Sequence, residues 1–193
     1  MKLSDNSPIT NISSITEDKN NNLWIGTRDG EIFQHDKERN SFTKFLPIDT
    51  DTIKSVNRII HLLVDSNNNM WIGTMAGLVL FNIDDGTIKQ FSHNPNDKKS
   101  LIDNRISALF EGNQGQILIG TYKSGLHIYN AKKGSLDRIN PHKNAPNFLH
   151  APYAEDIVFG GDPFVRLIHQ DQHGNYWIST TGKGINHFDT KTT

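Results

Sequence analysis

A five-residue segment occurs four times in this chain and limits what the chain can fold into. Each copy is a short apolar stretch that ends in threonine: Leu23–Thr27, Met70–Thr74, Ile117–Thr121 and Tyr176–Thr180. Their second residues, at positions 24, 71, 118 and 177, are separated by 47, 47 and 59 positions. A period of roughly 40–50 residues is typical of repeat architectures, in which every repeat forms one supersecondary unit.

Composition excludes several classes of protein. The 193 residues are 35% hydrophobic and 21% charged, with a formal net charge of −1 and no cysteine. These values are those of an ordinary globular chain, and they give no long-range field to attract nucleic acid. Disulfides and thiolate metal sites are excluded, and no segment of about 18 apolar residues is present to span a bilayer. Residues 1–14 lack the apolar core of a signal peptide, so export would depend on a signal outside this sequence.

Each repeat predicts short β-strands joined by tight turns. The first strand has apolar residues three positions apart: Ile12/Ile15, Ile59/Leu62, Ile106/Leu109 and Val165/Ile168. It closes at Asp18, Asp65, Gly112 and Asp171. The polar turn that follows is rich in Asn and Gly, which tolerate the positive φ of short hairpins. A glycine turn then leads to a third strand. A second hairpin leads to a last strand with apolar positions Phe42/Phe45, Ile88/Phe91 and Leu136/Ile139.

The second strand is apolar on both faces. Side chains alternate along a strand, so Trp24 and Gly26 point to one face, while Leu23, Ile25 and Thr27 point to the other. Both faces must be covered, and a position between two neighbouring sheets achieves this. The glycine would let the next sheet approach closely. We therefore predict packing roles for the structural repeat positions Trp24, Gly26, Trp71, Gly73, Gly120 and Trp177.

Four short antiparallel strands per repeat at this period predict an all-β fold, a β-propeller of four-stranded antiparallel blades. We place about four blades in a single partial propeller over residues 1–193. The blade repeats are about 8–46, 55–92, 102–140 and 162–193, with an irregular connector at 141–163. Residues 53–64 allow a helix locally, but they align with the first strand of the other repeats. The fourth repeat stops before its outer strand, which favours a piece of a larger propeller over a closed four-bladed ring.

These repeats resemble the two-component regulator propellers. The family pattern is an apolar strand, Asp, a Gly/Asn turn, Leu-Trp-Ile-Gly-Thr, Gly-Leu, and an aromatic residue followed by Asn or Asp. Residues 57–82 match it best. Ser179 replaces the glycine in repeat four, whereas repeat three has Leu118 for tryptophan and Gly112 for aspartate. The resemblance covers residues 8–193 apart from the connector.

The resemblance implies a sensor. In that family the repeats usually form the extracytoplasmic half of membrane-bound hybrid histidine kinases, where two seven-bladed propellers precede an immunoglobulin-like domain, a membrane helix and the kinase. Many such proteins, especially from gut Bacteroidetes, sense oligosaccharides and switch on genes for glycan use. We expect this chain to be a periplasmic, non-catalytic part of a seven-bladed propeller, without cofactor or metal. Its expected partners are an oligosaccharide and the remaining propeller and kinase domains.

Candidate ligand residues cluster at one end of the blades. Because the strands alternate in direction, the start of the first strand and the turn between strands two and three share one end. Arg and Asn there suit a sugar acid or a polar glycan, and a tyrosine in the connector suits stacking on a sugar ring. The predicted ligand-binding residues are Asn57, Arg58, Asn104, Arg105, Tyr122, Tyr153, Arg166 and Lys183. The alternative is that these side chains satisfy loop carbonyls and neighbouring blades.

Two other functions remain open. The first is a non-catalytic protein–protein interaction scaffold that self-associates as a homo-oligomer through its open blade edges. The second is an enzyme of the propeller lyase or glycosidase type, which needs converging carboxylates or a metal in the channel. The sequence offers little for the second: it has no Gly-x-Ser-x-Gly. His169 and His173 have no third ligand at a metal-binding spacing.

Overall fold

The computed structural model describes residues 3, 7–45, 58–122, 125–139, 164–181 and 184–188. In these residues the strands form four antiparallel sheets, each in chain order, and no helix is present. Three sheets have four strands, and the fourth has three described strands. The prediction of an all-β fold with four-stranded antiparallel blades is confirmed, and residues 59–64 form a strand rather than a helix.

We call each sheet a blade and number its strands along the chain. Blade 1 consists of β1 (Ile12–Glu17), β2 (Leu23–Thr27), β3 (Ile32–Asp36) and β4 (Ser41–Phe45). Blade 2 consists of β5 (Ile59–Val64), β6 (Asn69–Thr74), β7 (Leu78–Asn82) and β8 (Ile88–Phe91). Blade 3 consists of β9 (Ile106–Glu111), β10 (Ile117–Thr121), β11 (Leu126–Asn130) and β12 (Ser135–Ile139). Blade 4 consists of β13 (Val165–Gln170), β14 (Tyr176–Thr180) and β15 (Gly184–Phe188).

The chain divides into two compact units with two blades each. Unit 1 is Met1–Phe91 and contains blades 1 and 2, and unit 2 is Ser92–Thr193 and contains blades 3 and 4. The prediction of one partial propeller over residues 1–193 concerns both units jointly and stays a prediction.

Gly26 brings blade 1 close to blade 2 within unit 1. A Cβ atom at Gly26 would lie 2.9 Å from Cγ2 of Ile59 and 2.9 Å from Cγ of Leu62, inside the normal separation of carbon atoms. Trp24 lies on the same face, is buried, and belongs to the apolar cluster that joins the two blades. Trp24 and Gly26 therefore share the surface that meets the next sheet.

Unit 2 repeats this packing with a different large residue. A Cβ atom at Gly120 would lie 2.7 Å from Cβ of Val165 and 2.8 Å from its Cγ1. Leu118 stands where the other repeats have tryptophan, is buried, and packs in one cluster with Val165 and Ile168 of blade 4. The glycine fixes the distance between the blades, whereas the large apolar position accepts either Trp or Leu.

Two hydroxyl groups of β1 form hydrogen bonds with backbone groups at the edge of β5, the first strand of blade 2. Ser14 Oγ accepts the Leu62 N–H at 2.9 Å and donates to the Leu62 carbonyl at 3.2 Å. Thr16 Oγ1 accepts the Val64 N–H at 3.2 Å. An edge strand presents unpaired backbone groups, so these bonds add polar contacts between the two blades to the apolar ones.

An aspartate at the end of the first strand binds the tryptophan six residues later. Trp24 Nε1 donates to Asp18 Oδ2 at 2.9 Å, Trp71 to Asp65 at 2.8 Å, and Trp177 to Asp171 at 3.0 Å. The same carboxylates accept backbone N–H groups of the intervening turn, as in the bonds from Asn20 and Asn22 to Asp18 Oδ1, both 2.9 Å long. Each aspartate therefore fixes both the hairpin turn and the orientation of the indole.

Repeat three lacks both partners of this bond. Gly112 replaces the aspartate and Leu118 replaces the tryptophan. The hydroxyl of Tyr176 from blade 4 occupies the place that a Gly112 Cβ would take. Gln170, also from blade 4, accepts the Asn113 N–H at 2.6 Å. The neighbouring blade thus fills the space beside Gly112 and binds the turn that follows it.

Candidate functional site

One backbone hydrogen bond recurs at the predicted ligand end of all four blades. The residue after the second strand donates its N–H to the carbonyl of the residue before the first strand. These pairs are Arg28 to Asn11 at 2.8 Å, Met75 to Arg58 at 3.2 Å, Tyr122 to Arg105 at 3.0 Å and Thr181 to Phe164 at 3.0 Å. The bond places the side chains of both residues next to one another at one end of each sheet, which we call the top end.

In unit 2 the top-end side chains of blades 3 and 4 form a stacked column. The rings of Tyr122 and Phe164 are 4.6 Å apart between centroids, with an interplanar angle of 21°. The guanidinium carbon of Arg105 lies 5.2 Å from the Tyr122 centroid, and that of Arg166 lies 6.0 Å from the Phe164 centroid. Three of the predicted ligand residues, Arg105, Tyr122 and Arg166, are thus brought together with Phe164. We call these four residues the aromatic–arginine cluster.

Asp103 fixes Arg105 within the aromatic–arginine cluster. Arg105 Nη2 donates to Asp103 Oδ2 at 2.7 Å, and Arg105 Nε donates to Oδ1 at 3.1 Å. Asp103 is itself buried and accepts the Arg105 backbone N–H at 2.8 Å. A bidentate pair of this kind is both strong and directional. Arg105 therefore acts as a rigid support of Tyr122.

The cluster presents one exposed cation. Phe164 and Arg105 both lie against the ring of Tyr122, so this ring is already in contact with two protein side chains. Arg166 is exposed at the outer end of the column. The arrangement therefore suits an acidic or strongly polar ligand bound by a guanidinium.

Of the other five predicted residues, the structure describes two, Asn104 and Arg58. Asn104 Oδ1 accepts the His93 N–H at 2.6 Å, so Asn104 supports the loop before blade 3. Arg58 is exposed at the top end of blade 2 in unit 1. Asn57, Tyr153 and Lys183 lie outside the described residues.

Sequence reasoning missed Phe164 as a member of the site. Phe164 occupies the repeat position of Asn11, Arg58 and Arg105, directly before the first strand. The shared spacing to the following apolar pair was the available signal.

A second cationic feature of unit 2 lies beside β12. A cavity of about 430 Å³ is lined by Lys98, Lys99, Leu136, Asp137 and Arg138. Arg138 Nε donates to the Ser100 carbonyl at 2.8 Å, and Nη2 donates to the Asp97 carbonyl at 3.1 Å. The guanidinium thus holds the loop, and we do not place the ligand there.

In the described part of the chain, no group of three His, Cys, Asp or Glu side chains is placed to hold a metal ion. No helix of the described segments has the length and apolar character to cross a membrane.

The repeated sheets with close glycine contacts define a protein built from propeller blades. The family model described as two component regulator propeller matches residues 6–29, 54–76 and 100–123. The first three repeats are therefore similar to two component regulator propeller repeats. The matches cover the first three repeats, and the fourth repeat has the same first two strands and the same aspartate–tryptophan bond.

Solved structures share this fold. One extracellular domain of a hybrid two component system from B. thetaiotaomicron is 22% identical, with a TM-score of 0.66, covering 100% of this chain and 30% of that one. A second such domain from B. thetaiotaomicron is 16% identical, with a TM-score of 0.69, covering 100% and 22%. Virginiamycin B lyase from Staphylococcus aureus is 15% identical, with a TM-score of 0.60, covering 100% and 59%. The chain thus spans less than a third of the two extracellular domains. A search of curated protein sequences found no match.

Proposed function

We propose that this chain is part of the ligand-sensing propeller of a hybrid two-component sensor histidine kinase. In this proposal the propeller is extracytoplasmic, in the periplasm, and its ligand is an oligosaccharide. The proposal is supported by the family repeats in this chain and by the likeness to extracellular domains of hybrid two component systems. The chain itself binds and does not catalyse.

The aromatic–arginine cluster is the observation that carries the binding part of this proposal. Its four side chains come from blades 3 and 4, and the exposed member, Arg166, belongs to blade 4. Asp103 and Phe164 hold the inner members, which leaves Arg166 as the exposed group. A site preorganised in this way loses little side-chain entropy when a ligand binds.

The chemistry of the cluster favours a saccharide that carries a carboxylate. A guanidinium recognises a carboxylate through two parallel N–H···O bonds, and a neutral hydroxyl forms weaker bonds. We therefore expect oligosaccharides containing uronic acids to bind more tightly than neutral ones of the same length.

Calorimetric titration of the 193-residue chain with matched neutral and uronic-acid oligosaccharides tests the proposal. We expect a uronic-acid oligosaccharide to bind, and Arg166→Gln to weaken its affinity about tenfold. Arg39→Gln is the matched control, because Arg39 is an exposed arginine of unit 1 that pairs with Asp36 at 3.5 Å. Absence of binding by every saccharide, or equal losses in the two variants, would contradict the proposed site.

A chromatographic check of the saccharide after incubation tests the non-catalytic part. We expect the oligosaccharide to be recovered intact. New reducing ends or unsaturated products would show that the chain is an enzyme.

A further inference from the structure

The stacked rings of unit 2 mark two repeat positions that meet between neighbouring blades. Tyr122 of blade 3 lies two residues after Gly120. Phe164 of blade 4 lies one residue before Val165, which packs on Gly120. The two ring centroids are 4.6 Å apart. Where the glycine of one blade meets the first strand of the next, these two positions are therefore in contact.

Unit 1 contains the same glycine contact and has arginine at both positions. A Cβ atom at Gly26 would lie 2.9 Å from Cγ2 of Ile59. Arg28 of blade 1 lies two residues after Gly26. Arg58 of blade 2 lies one residue before Ile59. The packing of the two blades therefore places Arg28 beside Arg58, and we call these two residues the arginine pair.

Backbone hydrogen bonds hold both members of the arginine pair at the top end of unit 1. The Arg28 N–H donates to the Asn11 carbonyl at 2.8 Å, and the Arg58 carbonyl accepts the Met75 N–H at 3.2 Å. The equivalent bonds hold the two stacked rings of unit 2. The two arginine side chains therefore start from the same backbone positions as those rings.

Both guanidinium groups of the arginine pair are available to a ligand. Arg28 and Arg58 are exposed, and neither forms an ion pair with a carboxylate of the described residues. Asp29, which follows Arg28 in the chain, accepts a hydrogen bond from Asn11 Nδ2 at 2.8 Å. Two cations thus stand side by side, and the repulsion between them favours an anion that bridges them.

The number of acceptor oxygens selects the class of anion. A guanidinium binds best through two parallel N–H···O bonds, so two guanidinium groups call for more than the two oxygens of a carboxylate. A sulfate or phosphate group has three or four oxygens in a tetrahedral arrangement. Such a group can accept a pair of bonds from each arginine.

We propose that the arginine pair of unit 1 is a second binding site, which takes a tetrahedral oxyanion such as a sulfate group. It differs from the aromatic–arginine cluster of unit 2, where aromatic rings occupy the two equivalent positions and Arg166 is the exposed cation. The proposal does not rest on the ligand or the function proposed above.

NMR titration of the 193-residue chain with sodium sulfate at constant ionic strength tests this site. We expect the Nε–Hε signals of Arg28 and Arg58 to follow one saturable curve. Arg28→Gln should weaken the binding seen at Arg58 about tenfold, because it removes one pair of charge-assisted bonds. Arg39→Gln is the matched control and should leave the affinity unchanged, since Arg39 is an exposed arginine that pairs with Asp36 at 3.5 Å.

Two further probes define the anion. Sodium acetate should bind more weakly than sulfate, because a carboxylate has too few oxygens for both arginines. A sulfate ester of glucose that binds more tightly than the free ion would assign the site to a sugar-borne group, and equal affinities would assign it to the oxyanion alone.

Three results would overturn the proposal. Signals that move linearly with sulfate concentration would show non-specific screening, and equal affinities for acetate and sulfate would exclude the tetrahedral preference. An affinity at Arg58 that Arg28→Gln leaves unchanged would show that the two arginines act singly. Failure of uronic-acid oligosaccharides to bind at Arg166 would leave all these readouts unaffected, so the two proposals fail separately.

Discussion

The indole Nε1 of Trp24 donates a hydrogen bond to Oδ2 of Asp18, 2.9 Å away, and both side chains are buried. Burial opposes the charge on Asp18, but the bonds from Trp24 and from Asn22 outweigh it and hold the pKa of this carboxyl below its ordinary value. The bond joins the end of β1 to the start of β2. It recurs in blades 2 and 4, so it belongs to the repeat.

Replacing Asp18 by Ala should destabilise the chain by about 1–3 kcal/mol, because the Trp24 N–H loses its acceptor inside the protein. The turn N–H groups of Asn20 and Asn22 lose theirs as well. Urea unfolding measures the effect. Asp29→Ala is the control, since Asp29 is exposed and accepts a hydrogen bond from the exposed side chain of Asn11, and it should change stability by no more than about 0.5 kcal/mol. Equal losses in the two variants would contradict the structural role of the bond.

Adding a methyl group at Gly26 should be destabilising by about 1–3 kcal/mol through overpacking. The new Cβ would lie 2.9 Å from Ile59 and from Leu62, and both atoms belong to the packed contact between blades 1 and 2. Gly26→Ala is compared with Gly86→Asn by thermal unfolding. Gly86 has φ of 75° and open space around it, and Asn tolerates that conformation. A stable Gly26→Ala would show that the blades are not in the close contact described here.

Gly112 and Tyr176 should show energetic coupling. Gly112→Ala places a Cβ at the Tyr176 hydroxyl, so it should cost about 1–3 kcal/mol. In a Tyr176→Phe background the hydroxyl is gone and the same substitution should cost less. A double-mutant cycle on the free energy of unfolding measures the coupling. Additive effects of the two substitutions would contradict this contact.

Stability should fall with pH between about 6.5 and 4 because of His127. Burial is the main cause that lowers the pKa of this imidazole to about 4. A hydrogen bond with the Ile119 backbone raises the pKa, and the positive charge of Arg138 lowers it further. Its Nε2 accepts the Ile102 N–H at 3.1 Å. Below about pH 6.5 His127 is protonated in the unfolded chain, whereas in the folded chain it stays neutral until the pH is near 4. The free energy of unfolding therefore decreases as the pH falls through this range, by up to about 3 kcal/mol.

The variant His127→Gln tests this linkage, because glutamine keeps an acceptor and does not titrate. Urea unfolding at pH 4.5 and pH 7 should show a smaller difference in stability for His127→Gln than for the wild type. Burial also lowers the pKa of His61, so part of the pH dependence should remain. His173→Gln, at an exposed turn position, should retain the wild-type difference. An unchanged pH dependence in His127→Gln would contradict the assignment.

The strand positions were predictable because the same sequence pattern occurs in four repeats. The apolar pair of the first strand, the turn and the strand equivalent to Trp-Ile-Gly-Thr all appear where the alignment of the four repeats places them. A single copy would have been ambiguous, as the helix-like stretch at residues 53–64 shows. The alignment of the repeats therefore assigned this stretch to a strand, which local propensity alone could not do.

The site was only partly predictable, since it depends on side chains from two blades. Arg105, Tyr122 and Arg166 were selected by position, but the stacking of Tyr122 on Phe164 arises between blades 3 and 4. The replacement of the aspartate at Gly112 by Tyr176 has the same origin. The sequence pattern gives the position of each residue within its repeat. It does not show which side chain of the neighbouring blade packs against that residue.

Labelling of the native protein in its host tests the sensor proposal most directly. An epitope inserted in the exposed hairpin between Asp85 and Gly86 of blade 2 is probed with a membrane-impermeant reagent on spheroplasts whose cytoplasmic membrane is intact. We predict labelling of the intact spheroplasts, in a protein that also carries a membrane helix and a kinase. Labelling only after lysis would place these blades in the cytoplasm and contradict the sensor proposal.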